Sequence, residues 1–116
     1  MLHWIQKLSL VLISSLGLAC TGVNAQTWPQ RPIRIIVPYT VGGASDITAR
    51  LLADRMTVKF GQAVTVENRA GASGTIGTDA VAKAAPDGYT LAFVASSHVV
   101  NKALFPTLAY DPIKSF

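Results

Sequence analysis

Three short stretches of this chain carry the residue types that hold small anions without charged side chains. Gly42-Gly43 stands just before Ser45 and Asp46, Gly71-Ala72-Ser73-Gly74 leads into Thr75, and Ser96-Ser97 precedes His98. Each runs into a segment with helical patterning. The first N–H groups of a helix lack internal partners and carry a partial positive charge. They bind carboxylate or phosphate without a basic residue. Glycine lets a ligand approach the backbone closely. The hydroxyls of Ser45, Ser73, Thr75, Ser96 and Ser97 add donors. Two or three such helix starts converging on one point fit a small dicarboxylate.

Each stretch also has a plainer reading. Gly42-Gly43 serves a tight turn equally well. Gly71, Gly74 and Gly77 space as G-x-x-G-x-x-G, not as the G-x-G-x-x-G of a dinucleotide site. No acidic residue ends the next strand, where a ribose partner belongs. Asp46 fits a helix cap better than a general base. His98 fits a packing or hydrogen-bonding role, with no acidic residue obviously placed to orient it. Trp28 and Tyr39 read as packing or rim residues. Ser73 lacks the G-x-S-x-G context of a hydrolase elbow, so the hydroxyls read as binding groups and no catalytic residue is assigned. An alternative stays open, a small exported hydrolase using Asp46, Ser73 and His98 on one sheet edge. A non-functional truncated remnant is the third reading.

The elements that must position these loops follow from the hydrophobic pattern. Ile33 to Val37 (IRIIV) is apolar at nearly every position, as in a buried parallel strand, and Pro38 stops it. Ser45 to Phe60 reads as a helix capped by Ser45 or Asp46. Ile47, Leu51, Met56 and Phe60, with Leu52 beside them, form its apolar stripe, and Gly61 ends it. Ala63 to Glu67 is a second strand. A helix from Thr75 to Ala85 should bury Ile76, Ala80, Val81 and Ala84. Pro86-Asp87-Gly88 is a turn, Tyr89 to Ala95 a third strand, and Ser96 to Leu104 a short helix. The order βαβαβα implies a parallel sheet with right-handed crossovers. The carboxyl ends of its strands share one edge, where ligands bind, and all three loops lie on it.

Composition narrows the class. The chain has 116 residues, half of them hydrophobic and 14% charged, which excludes intrinsic disorder. Ten basic against six acidic residues give a net charge of +4, but no basic cluster exceeds Arg31 with Arg34, so no nucleic-acid surface is expected. Met1 to Ala25 reads as a secretory signal: Lys7, an apolar run from Leu8 to Ala19, and the small-x-small site Val23-Asn24-Ala25, leaving Gln26 first. Cys20 after Leu18-Ala19 also admits a lipoprotein site, which Gly17 and Leu18 fit poorly. Cleavage after Ala25 removes the only cysteine and leaves His98 as the only histidine. Neither a thiolate nor a His-rich metal site is then available, and no metal or cofactor is expected. The domain assignment is a signal peptide over Met1 to Ala25 and a binding domain over Gln26 to Phe116, with no membrane span after cleavage.

The residues resemble a known family. Trp28-Pro29-Gln30-Arg31-Pro32-Ile33, Ile36-Val37-Pro38-Tyr39 and Gly42-Gly43-Ala44-Ser45-Asp46 match its P-[FY]-x-x-G-G-x-[ST]-D pattern and the approach to it. Val66-Glu67-Asn68-Arg69-Ala70-Gly71-Ala72-Ser73-Gly74, Ile76-Gly77, Ala82-Lys83-Ala84-Ala85-Pro86-Asp87-Gly88-Tyr89-Thr90-Leu91 and Tyr110-Asp111-Pro112 continue it, with a trailing Phe116. This ordered series is similar to the periplasmic solute-binding receptors of tripartite tricarboxylate transporters, the Bug or TctC-like family. The resemblance implies an α/β, parallel-sheet first lobe of a type II periplasmic-binding-protein (flytrap) fold, truncated. It implies a non-enzymatic, periplasmic receptor that captures a small organic acid and hands it to the membrane subunits of such a transporter. Carried onto matching positions, it points to Tyr39, Gly43, Ser45, Asp46, Ala72, Ser73, Gly74, Ser96 and Ser97 as substrate-binding. Two departures stand out. Thr40-Val41 replaces the small or Pro residues common there, and Ala72-Ser73 stands where the family is commonly richer in Gly. Family members are also several-fold longer, so the chain corresponds to an incomplete first lobe.

Overall fold

A computed structural model describes residues 27–116; the expected signal peptide, with Cys20 and the Ala25 cleavage site, lies outside the described residues. Strand β1, Ile33–Val37, is the centre of the sheet because it offers water almost nothing: Ile33, Ile36 and Val37 are fully buried and Ile35 nearly so. Strand β2, Val64–Asn68, pairs with one side of it and β3, Thr90–Ala92, with the other, both parallel, giving the order β2-β1-β3. The register sets Val37 beside Asn68 and Ile36 beside Ala92, so the three carboxyl ends are level. The expected β3 was longer; beyond Ala92 only the Phe93 N–H donating to the Ile36 carbonyl continues the ladder.

The helices lie where the crossovers require. Helix α1 spans Ala44–Phe60 and stops at Gly61, whose φ of 65° lets its N–H donate to the Thr57 carbonyl. Helix α2 spans Thr75–Ala82, entered through a tight turn at Ala72–Gly74, and ends short of the expected Ala85. Helix α3 spans Ser97–Leu104.

The expected buried faces were misplaced on both longer crossovers. In α1 the sheet-facing residues are Asp46, Ala49 and Ala53, with half-buried Met56 joining the core, whereas Ile47 and Leu51 are more than half exposed. In α2 the buried residues are Gly77 and Thr78, and Ile76 is 56% exposed. The reason is distance. A Cβ on Gly77 would stand 2.6 Å from the Arg69 carbonyl oxygen and 2.8 Å from Pro38 Cβ, so α2 touches the end of β1 with its backbone. Small residues face a sheet approached this closely, and the large ones are turned outward or sideways.

At the opposite end of the strands, Trp28 packs edge-on against Phe60 at 5.4 Å between ring centroids and lies beside Tyr89 at 5.8 Å. Arg31 sits over the Tyr89 ring and pairs with Asp87. Trp28 is thus the packing residue expected of it.

Candidate functional site

The level carboxyl ends of β1, β2 and β3 open into a cavity of about 390 Å³ lined by Pro38, Tyr39, Thr40, Ala70, Gly71, Ser73, Gly74, Ser97, Asn101 and Leu104. All three glycine- and serine-bearing loops reach it. Of the expected residues, Tyr39, Ser73, Gly74 and Ser97 line its wall. Gly43, Ser45 and Asp46 stand beside it at the start of α1, where a Cβ on Gly43 would lie 3.5 Å from the Thr40 carbonyl oxygen. Ala72 lines a neighbouring cavity of about 310 Å³ instead, and Ser96 lies just outside the wall as the residue preceding α3.

Tyr39 is more than a rim residue. Its hydroxyl accepts the Ala95 N–H at 3.0 Å and lies 3.3 Å from Ser97 Oγ. It therefore ties the loop after β1 to the loop after β3 across the mouth of the site.

The start of α1 carries no side-chain cap. Its N-cap is Gly43, and neither Ser45 nor Asp46 caps it. Asp46, in the first turn and 2% exposed, points backward: its Oδ2 accepts the Gly42 N–H at 2.8 Å. Its Oδ1 accepts from Asn68 Nδ2 at 3.0 Å and pairs with Arg50 at 3.0 Å. The Gly42 N–H, then Arg50 and Asn68, hold its carboxyl down at about 2, against the opposing effect of burial. A carboxylate this committed is a loop fastener, not a base. With Gly43 as the cap, the first amides of α1 keep the free valence that the sequence suggests.

The turn after β2 is unusual backbone. Four consecutive residues have positive φ: Gly71 at 132°, Ala72 at 44°, Ser73 at 56° and Gly74 at 85°. The Gly74 N–H donates to the Gly71 carbonyl, and Thr75 Oγ1 to the Ala72 carbonyl. A Cβ on Gly74 would stand 3.3 Å from the Pro38 carbonyl oxygen, so this turn lies directly on the end of β1. Left-handed geometry explains why glycine suits the positions of Ala72 and Ser73.

Asn101 escaped the sequence reading. It is 2% exposed, lines the cavity, and its Nδ2 lies 3.5 Å from the Ser73 carbonyl oxygen; among the described residues its Oδ1 has no partner. Four residues after Ser97, it falls on the same face of α3, and that spacing was the available signal. Asp46, Ser73 and His98 do not form a catalytic set. His98 Nε2 bonds the Pro112 carbonyl oxygen at 2.8 Å and its ring stacks on Tyr110, away from the Asp46 cluster. Among the described residues no cluster of His, Cys, Asp and Glu could hold a metal ion, and no helix is long and apolar enough to cross a membrane.

BugT of Bordetella pertussis is 48% identical over 106 residues, covering 90% of this chain and 32% of BugT. The solved periplasmic binding protein BugD superposes with a TM-score of 0.73 at 42% identity, over 77% of this chain and 30% of BugD. MatC of Rhodopseudomonas palustris, solved with bound malate, gives 0.70 at 44% identity, over 77% of this chain and 31% of its own. The chain thus spans about a third of the length of the relatives it matches, and its parallel α/β lobe has the fold of periplasmic binding proteins. The model of the tripartite tricarboxylate transporter family receptor matches residues 48–116, and with the 42–48% identities it shows that the chain belongs to that family, one of solute-binding receptors and not of enzymes.

Proposed function

We propose that this chain is exported to the periplasm by a signal peptide over Met1 to Ala25. Gln26 to Phe116 then forms the first lobe of a receptor that captures a small carboxylate for a tripartite tricarboxylate transporter. The observation that carries the reading is the cavity at the carboxyl ends of the strands. There Tyr39, Ser73 and Ser97 supply hydroxyls beside an uncapped helix start and a left-handed turn. No lysine or arginine lines this wall, which suits an anion held by uncharged amide and hydroxyl donors. The malate bound by MatC is an acid of the expected size. The receptor's partners are then the organic acid and the transporter's membrane subunits, and no step of chemistry is performed on the ligand.

Calorimetric titration of the purified protein with malate, succinate and citrate tests this. At least one acid binds, and Tyr39→Phe or Ser97→Ala weakens it about fivefold, the loss of one hydrogen bond. Folded protein that binds none of the three overturns the reading. Export is tested separately by the mass of the protein recovered from a periplasmic extract: a chain beginning at Gln26 is expected, and one retaining Met1, or lipidated at Cys20, replaces the leader assignment.

A further inference from the structure

The two loops that meet at the cavity are joined by one side-chain amide. Asn68, the last residue of β2, donates through Nδ2 to the Tyr39 carbonyl oxygen at 3.2 Å and to Asp46 Oδ1 at 3.0 Å. Its Oδ1 accepts from Arg50 Nη2 at 3.0 Å. Asp46 in turn holds the Gly42 N–H. The first loop, Tyr39 to Gly43, is therefore gripped at both ends by groups that converge on Asn68. We infer that Asn68 is the positioning residue of the site, the clasp that fixes the first binding loop against the second. The inference rests on the receptor reading above and names what sets that site's geometry.

The chemistry leaves little choice of residue. The position needs two donors and an acceptor on one short side chain. Aspartate has the shape but no donor, and it would set a second carboxylate against Asp46. Serine has one donor. Arg50 cannot substitute, because it supplies donors only and already serves both Asp46 and Asn68. Without the amide, the Tyr39 carbonyl loses its partner, and the Tyr39 ring, whose hydroxyl meets Ser97 and Ala95, loses the fixed backbone behind it.

The clasp makes a prediction that a merely stabilising residue would not: its two contacts can be restored separately. N68D removes the donor to both Asp46 and the Tyr39 carbonyl. The swap D46N/N68D restores an amide facing a carboxylate and an acceptor for the Gly42 N–H, but gives the Tyr39 carbonyl no donor. Malate, succinate and citrate are the probes. N68D should weaken binding of whichever acid binds by about tenfold or more, and the swap, with Tyr39 still unpaired, should recover only part of that loss. Hydrogen exchange at the Gly42 amide gives a readout free of ligand: protected in the wild type, fast in N68D, and slowed again in the swap. If wild type binds none of the acids, the receptor reading fails while the amide still tests the clasp. If N68D is too unstable to titrate, recovery of Gly42 protection in the swap supports the clasp. A swap whose Gly42 amide exchanges as fast as in N68D, or an N68D protein with wild-type affinity and a protected Gly42, overturns it.

Discussion

Single residues in this site do one of two things, and substitution separates them. Ala72 and Ser73 both hold left-handed backbone at φ of 44° and 56°. Such a conformation disfavours a side-chain-bearing residue by roughly 1–2 kcal/mol, partly offset in glycine by its greater loss of freedom on folding. Ala72→Gly and Ser73→Gly should each raise stability by about 0.5–1 kcal/mol, a Tm gain of a few degrees for a domain this size. Only Ser73→Gly removes a hydroxyl from the cavity wall, so only it should also weaken acid binding; thermal melts and titrations of both read this. Asp46 acts through charge. Its carboxyl is depressed from 3.8 to about 2, so its stabilising effect is complete above the ordinary carboxylate range and is lost as pH falls toward about 2. Acid denaturation followed for wild type and Asp46→Asn should show the wild-type advantage constant down to about pH 4 and vanishing below it. An advantage that persists at the acid end would show that the Gly42 and Asn68 contacts do not depend on ionisation.

At the scale of elements, the sequence was legible where one property decided the outcome. IRIIV could only be a central strand, and Gly61 could only be a stop once its left-handed φ was needed. The glycine- and serine-bearing loops follow from strand order, because parallel strands bring them to one edge. The buried faces of the helices were not legible. Periodicity marks which large side chains share a stripe, but it does not say whether the large or the small stripe meets the sheet. Here Ala49 and Ala53 face inward on α1 and Gly77 on α2, while Ile47, Leu51 and Ile76 do not. Asn68 and Asn101 were missed for a related reason: an amide becomes informative only when its partners, Tyr39 and Asp46 for one and Ser73 for the other, are brought from distant segments. The close approach of α2 supports a sharp prediction. Gly77→Ala sets a methyl 2.6 Å from the Arg69 carbonyl oxygen and 2.8 Å from Pro38 Cβ, neither a flexible chain end. It should destabilise the protein by about 1–3 kcal/mol and shift the Gly71–Gly74 turn. Chemical denaturation measures the first and acid affinity the second, and a variant as stable as wild type would mean that Pro38 and the Arg69 carbonyl give way to the methyl at little cost.

At the scale of the whole molecule, the described residues leave a good deal of apolar surface in water. Along α1, Ile47, Leu51 and Val58 are 55%, 63% and 85% exposed. Their spacing puts them on one face of the helix. Strands β2 and β3 are both edges of the sheet, each with a single partner among the described residues. Contiguous apolar faces and unpaired strand edges drive association unless something covers them. For this chain the expectation is concentration-dependent self-association, visible by sedimentation velocity as a rising mean mass between micromolar and higher concentrations. Leu51→Lys with Val58→Lys should reduce it without a change in fold, because neither side chain belongs to the core around Ile35, Val37, Ala49 and Ala53. Acid binding should be unaffected by the pair, since neither residue lines the cavity at the strand ends. If the wild-type chain sediments as a monomer throughout, the exposed face of α1 is tolerated as it stands; if the lysine pair also abolishes binding, α1 must shift as a body and carry Asp46 and its grip on Gly42 with it.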